Sequence, residues 1–71
     1  MEIYRLCTFY NDFTKKNDYF VGETGLETAK MNILLAKNNE NVYAAYIYLR
    51  DIDIDCHLIS DELLIEEFVR N

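Results

Sequence analysis

The stretch TGLETAKMNILLAKNNENVYAAYIYL (Thr24 to Leu49) decides the fold, because it joins the clearest helix signal of the chain to the clearest strand signal. Thr24 and Glu27 have the T-x-x-E spacing of a capping box, in which each side chain bonds a free amide at a helix start. Residues 26–37 are mostly strong helix formers, and the asparagines within 38–41 tolerate the left-handed backbone of a helix end. We therefore expect a helix that starts at the threonine and ends before these asparagines.

This helix has two apolar arcs rather than one. At 100° per residue, the stripe predicted to face the core consists of Leu26, Ala29, Ile33 and Ala36. The second arc, separated from the first by two lysines, consists of Met31, Leu34 and Leu35. A single sheet covers one arc, so either a second helix of the same chain or another subunit covers the other. The second helix is favoured, because it needs a place to dock.

The segment VYAAYIYL (42–49) is apolar on both faces and rich in tyrosine, which predicts a buried or central strand. After it, the aliphatic residues change from odd positions to even ones, beginning with Ile52. A β-bulge or a tight turn near Arg50 and Asp51 would produce this one-residue shift, and both options remain open.

The first third of the chain predicts a β-hairpin. EIYRLCTFY (2–10) is rich in β-branched and aromatic residues, and YFVG (19–22) follows it after a polar turn. Alternation places Arg5 with Ile3, Cys7 and Phe9 on one face, while Tyr4, Leu6 and Tyr10 lie on the other. Both faces are partly apolar, as expected for a strand near the middle of a small sheet.

The C-terminal segment SDELLIEEFVRN (60–71) predicts a second helix, with Ser60 as its N-cap and acids in its first turn. Its apolar stripe is Leu64, Ile65, Phe68 and Val69. The expected fold is α+β: a small antiparallel sheet in the order β-β-α-β-(β)-α, with helices mainly on one face, forming a single domain over residues 1–71.

Charge is distributed unevenly along the 71 residues, whose net charge is −6. Residues 1–50 contain six acids and six bases, so seven acids against Arg70 alone in the last 21 residues carry the excess. A concentrated negative field repels phosphate and argues against direct nucleic-acid binding. Neither a signal-peptide pattern nor an apolar run of membrane-spanning length is present, and we expect a cytoplasmic protein with free thiols at Cys7 and Cys56.

The aspartates of DIDIDCHLISDEL (51–63) suggest an alternative, a degenerate EF-hand-like calcium module at 51–62. Its ligands would be Asp51, Asp53, Asp55 and Glu62, at loop positions 1, 3, 5 and 12. However, Cys56 replaces the glycine that the loop needs at position 6, and isoleucines occupy positions 2 and 4. The period of a β-strand with its aspartates facing water explains the spacing better, so we expect no metal and no cofactor.

Catalytic equipment is scarce in this sequence. His57 is the only histidine, and Cys56 beside it would point to the opposite face of a strand. Paired carboxylates could act as acid and base only in a cleft, for which so short a chain has little room. We therefore expect a non-enzymatic protein.

Tyrosine is favoured at protein interfaces, because its ring buries a large apolar surface while its hydroxyl can still form hydrogen bonds. We therefore expect a protein partner, with a basic surface that matches the acidic end of the chain, and a homodimer is a further option. The residues predicted to bind it are Asp53, Asp55, Asp61, Glu62, Glu66, Glu67, Tyr46 and Tyr48. In the sharper version of this hypothesis, the carboxylates imitate a row of phosphates and block a nucleic-acid-binding protein.

The layout of hairpin, helix (ETGLETAKMNILLAKNNEN) and strand (VYAAYIYLRD) resembles that of many small phage and prophage proteins. The resemblance covers the first 50 residues and is one of size and layout, with no diagnostic motif. It implies an accessory or inhibitory protein that acts by binding a host protein, and it implies no catalytic residue.

Overall fold

A computed structural model describes residues 1–53, 55 and 60–71. In chain order its elements are β1 (Glu2–Tyr10), β2 (Lys15–Val21), α1 (Gly22–Lys37), β3 (Val42–Asp51) and β4 (Leu63–Val69). The strands form one antiparallel sheet in the order β2-β1-β3-β4, and α1 packs on β1, β2 and β3. The prediction of an α+β fold with a small antiparallel sheet is confirmed.

The core lies between α1 and one face of the sheet, which we call the helix side. Its buried members are Tyr4, Leu6, Ala29, Ile33, Ala36, Val42, Ala45 and Ile47. The alternation predicted for β1 is confirmed, and so are the central places of β1 and β3 and the core stripe of α1, with Leu26 packing at its edge. The second arc of α1 is exposed: Met31, Leu34 and Leu35 show 67%, 55% and 66% of their surface.

The predicted hairpin is confirmed, but its return strand β2 begins at Lys15, four residues before the predicted segment YFVG, and ends at Val21. Its turn bonds Tyr10 N–H to the carbonyl of Thr14 at 2.9 Å, and the Asp12 carboxylate accepts from both the amide and the hydroxyl of Thr14. These bonds hold the pKa of Asp12 below its usual value. Phe13 occupies the left-handed region (φ 69°) at the tip of this turn and is almost fully exposed.

Two glycines form the corner between β2 and α1. Gly22 turns the chain with φ 76°, and Gly25 lets the first helical turn approach β2, because a Cβ there would lie 2.8 Å from the carbonyl carbon of Phe20. The helix therefore starts at Gly22, before Thr24. The predicted capping box is wrong: the N-cap is Val21, which has no side-chain cap bond, and close backbone packing fixes this helix start instead.

The predicted C-terminal helix is also wrong, because Leu63–Val69 forms strand β4. The segment pairs with the second edge of β3, which would otherwise present a row of unpaired amides and carbonyls. Phe68 lies opposite Ala45 and packs against the core. Ser60 does not cap a helix: its hydroxyl accepts the amide of Asp51 at 2.8 Å, and its carbonyl accepts a bond from Arg50.

Neither the bulge nor the turn predicted near Arg50 and Asp51 is present. Strand β3 continues through both residues, with Asp51 opposite Glu2, and the register shifts lie elsewhere, at Phe9/Tyr10 and Ile47/Tyr48. Ile52 is buried and its amide bonds the carbonyl of Met1, as its predicted inward position requires. The rest of the strand predicted over 52–58 lies mostly outside the described residues, at positions 54 and 56–58.

Arg70, directly after β4, joins the end of the sheet to the end of α1. Its Nη2 donates to the carbonyls of Lys37 and Asn39, each at 3.0 Å, and its Nε donates to the carbonyl of Val42 at 2.9 Å. The helix ends before the asparagines, as predicted, but the backbone of Asn38 is in the right-handed region (φ −92°) rather than the left-handed one. The arginine thus satisfies carbonyls that a helix end leaves without partners.

Candidate protein-binding surface

Within the described part of the chain, the face of the sheet opposite α1 is covered by no helix, and we call it the open face. It receives the odd-numbered side chains of β1 and the aromatic side chains of β3. Cys7 on this face is buried and has a free thiol, as predicted. The second thiol, Cys56, lies outside the described residues, as does His57.

A row of aromatic rings crosses the open face. The Phe9 ring lies 6.0 Å from that of Tyr43 and 5.8 Å, edge to face, from that of Tyr46, measured between centroids. Tyr46 lies 6.4 Å from Tyr48, whose ring carries the Arg5 guanidinium at 4.5 Å. Phe9, Tyr46 and Tyr48 are half-buried and Tyr43 is exposed. The row combines wide apolar rings with polar tips, as protein interfaces do.

Arg5 lies at one end of this row, and each of its three guanidinium nitrogens donates a hydrogen bond. Its Nε and Nη2 donate to the two carboxylate oxygens of Glu62 at 2.8 and 3.0 Å, and its Nη1 donates to Asn17 Oδ1 at 2.9 Å. The bidentate bond raises the pKa of Arg5 and lowers that of Glu62. The guanidinium is therefore held as a fixed part of the surface, and it ties the start of β4 to β1.

A depression of about 260 Å³ lies around this ion pair, lined by Ile3, Arg5, Tyr19, Tyr48, Arg50 and Glu62. Pockets for cofactors and drug-sized ligands usually measure about 300–1,000 Å³. The depression is smaller, and its central cation is already paired. It is better suited to a protruding side chain of a partner than to a cofactor.

The predicted acidic residues are not gathered in one place. Glu66 lies opposite Ile47 on the helix side, while Glu67 lies opposite Tyr46 on the open face. The helix predicted for this segment would have placed them side by side, but neighbouring residues of a strand point to opposite faces. Glu62 is bound to Arg5, so the expected row of carboxylates is divided in at least two places.

The remaining acids lie at one end of the sheet, where the chain passes from β3 to β4. Asp51 ends β3, Asp55 and Asp61 are exposed, and Asp53 Oδ1 accepts the amide of Asp55 at 2.9 Å. Within residues 1–53, 55 and 60–71, no three potential metal ligands come together. Glu62, the twelfth residue of the calcium alternative, bonds Arg5, and position 6 of that loop, Cys56, lies outside the described residues.

Of the residues on the open face, Tyr46 and Tyr48 were predicted from their types. Phe9, Tyr43 and Arg5 were missed, although the alternation of β1 already placed Arg5 and Phe9 on one face. The missing signal was the register, which sets Arg5 opposite Tyr48 and Cys7 opposite Tyr46. Sequence periodicity assigns a face to each strand separately, but it does not say which residues of two strands lie opposite.

No protein-family model, no curated protein and no solved structure matches this chain. In the described ranges, no helix combines the length and the apolar character that crossing a bilayer requires.

Proposed function

We propose that the chain is a non-enzymatic binding protein whose open face engages another protein. The observation that carries the proposal is the continuous row from Tyr43 through Phe9, Tyr46 and Tyr48 to Arg5. Binding energy at protein interfaces concentrates in tyrosine, tryptophan and arginine, and this row contains three tyrosines and one arginine. Packing of its members on one another orders them before binding, which lowers the entropic cost of the complex.

The negative charges beside the row indicate which kind of surface on a partner would match it. Glu67 borders Tyr46 on the open face, and Asp51, Asp55 and Asp61 lie at the adjoining end of the sheet. A partner with an apolar centre and basic residues at its rim would match both features. Attraction of this kind mainly speeds association and weakens as salt is added.

A role as a small accessory or inhibitory protein is part of this proposal. Such a protein needs one recognition surface and no substrate cleft, and the open face of a 71-residue chain provides such a surface. A partner that normally holds nucleic acid would present the required basic rim.

Affinity capture from the native host with the wild-type chain and two single variants tests the proposal. Tyr46→Ala removes the ring at the centre of the row. Leu34→Ala, the matched control, removes an exposed apolar side chain from the helix on the other face. We expect Tyr46→Ala to weaken binding of the captured protein at least tenfold, as loss of a central interface tyrosine does, and Leu34→Ala to leave it unchanged.

Circular dichroism must first show that both variants fold. Equal binding by the wild-type chain and Tyr46→Ala would contradict the proposal, as would a captured protein lost only with Leu34→Ala. Binding that stays constant from low to high salt would contradict the part assigned to the acidic rim. Calcium added to millimolar concentration tests the calcium alternative, which predicts a higher melting temperature or shifted NMR signals.

A further inference from the structure

The two edge strands of the sheet carry opposite charge. β2 begins with Lys15 and Lys16, whereas β4 has Glu66 and Glu67 near its centre. The outer edge of such a strand presents amides and carbonyls that can pair with a further strand. β2 also carries Asp18, whose carboxylate lies 3.7 Å from the Lys16 ammonium, so this edge keeps one net positive charge. The two glutamates make β4 repel a copy of itself and attract β2, so the charges favour the β4–β2 pairing.

Strand directions allow the two edges to meet. Every neighbouring pair is antiparallel, so β4 runs in the direction of β1 and β2 runs against it. A second copy displaced sideways along the sheet therefore presents its β2 antiparallel to β4 of the first copy. Both copies then have their helices on the same side.

One register satisfies both charge pairs. If Glu66 lies opposite Lys16 of the second copy, Glu67 lies opposite Lys15, because antiparallel partners advance in opposite directions. The faces also agree. Lys16 and Glu66 are on the helix side, while Lys15, opposite Phe9, and Glu67 are on the open face.

Glu66 supplies an independent observation. Its Oε2 atom is buried and accepts no hydrogen bond from any described residue. A buried carboxylate oxygen without a donor is costly, and native proteins usually provide one. A change of the Glu66 rotamer that turns this oxygen toward the outer edge of β4 would let the ammonium group of Lys16 from a second copy be that donor, in place of its 3.7 Å ion pair with Asp18.

Apolar side chains flank the same contact. Leu35 is exposed on the flank of α1 above β2, where it lines a groove with Lys16 and Asp18. Leu63, opposite Leu49, is exposed on the helix side of β4. Edge pairing brings Leu35 of the second copy toward Leu63 of the first. Leu35, one residue of the second arc of α1, would then be covered by the neighbouring chain.

We propose that the chain assembles head to tail, with β4 of one copy adding to β2 of the next and extending one continuous sheet. The occupant of each edge is a second copy of this chain. Such a contact does not close on itself after two copies, so assembly continues to a ring or a filament. The contact uses the edges of the sheet and is separate from the open face.

Sedimentation of the full chain over a range of concentrations tests the proposal with three variants. The first joins Lys15→Glu with Lys16→Glu, the second joins Glu66→Lys with Glu67→Lys, and the third carries all four changes. We expect the wild type to form species larger than dimers as concentration rises, and each two-site variant to remain monomeric. The four-site variant, and an equal mixture of the two-site variants, should assemble again, because the charges at each contact are then complementary.

A wild-type chain that stays monomeric at about 1 mM, the weak end of specific association, would overturn the proposal. So would assembly that stops at dimers, or mixtures that fail to assemble. If the Glu66→Lys variants do not fold, the exposed pair alone, Lys15→Glu and Glu67→Lys, provides the same comparison. Tyr46→Ala should assemble like the wild type, so a failure of the open-face proposal and a failure of this one are distinguishable.

Discussion

Replacing Arg70 by alanine removes the contacts that join the end of β4 to the end of α1. The side chain donates to the carbonyls of Lys37 and Asn39 at 3.0 Å and to that of Val42 at 2.9 Å. A hydrogen bond from a charged donor contributes about 1.5–3 kcal/mol, and a cation at a helix C-terminus about 0.3–1 kcal/mol. Arg70 is exposed, so water replaces part of what is lost. We therefore expect the free energy of unfolding to fall by about 1–2 kcal/mol.

Urea unfolding followed by circular dichroism measures this loss, and the melting temperature should fall by roughly 4–8 °C per kcal/mol in a chain of this size. Lys37→Ala is the matched control, because it removes a positive charge from the last turn of the same helix. We expect it to cost less than about 0.5 kcal/mol. Arg70→Lys keeps the positive charge but lacks the several N–H donors of the planar guanidinium, so its loss of stability should lie between those of the two alanine variants. Equal losses for Arg70→Ala and Lys37→Ala would refute the assignment of the stabilisation to hydrogen bonds.

Three further changes test the corner before α1 and the ion pair of the open face. Gly25→Ala should destabilise the fold by about 1–3 kcal/mol in urea unfolding, because its Cβ would lie 2.8 Å from the Phe20 backbone; a gain in stability would contradict this. Thr24→Ala should change the free energy of unfolding by less than about 0.5 kcal/mol, whereas loss of a true N-cap costs about 1 kcal/mol. The folded-state pKa of Glu62 is lowered, chiefly by its bond from Arg5, so the stabilisation is complete above the unfolded pKa of about 4.5 and is lost as pH falls through the folded value. Acid titration of stability should therefore be shallower for Glu62→Gln, and identical slopes would show that the pair is not stabilising.

Elements whose own apolar pattern determines their packing could be predicted from the sequence. Ala29 and Ile33 repeat at the helical spacing, and both are buried against the sheet. Strand β3 is apolar on both faces and lies between two other strands, as that pattern indicates. In both cases a single feature, the spacing of apolar residues, determines how the segment packs.

The C-terminal segment shows why local pattern is insufficient. Leu64, Ile65, Phe68 and Val69 fit a helical stripe, and the acids before them suit a helix start, yet the segment is a strand. Its conformation depends on pairing with the free edge of β3. That edge exists only in the assembled sheet, so a short stretch of sequence does not reveal it. The same limit applied to the helix start, where Gly25 and its approach to β2 decided the boundary instead of Thr24.

The candidate surface likewise contains residues that the sequence singled out and residues that only the structure brings together. Tyr46 and Tyr48 were proposed as binding residues from their types alone, and that assignment stays a prediction. The place of Arg5 between Tyr48 and Glu62 depends on the register of β1 with β3 and on the return of the chain after β3. These are contacts between residues more than 40 positions apart, about which neighbouring residues carry no information.

The central place of β1 also sets an order of events in folding. β1 and β2 close through a short turn, but β1 and β3 pair across a separation such as that between Leu6 and Ile47. Closing that longer loop costs entropy before its contacts form, so we expect it to limit the folding rate. β4 joins an edge that exists only once β3 is in place. Substitutions in β4 should therefore accelerate unfolding and leave the folding rate nearly unchanged, which makes this strand the main determinant of how long the native state persists.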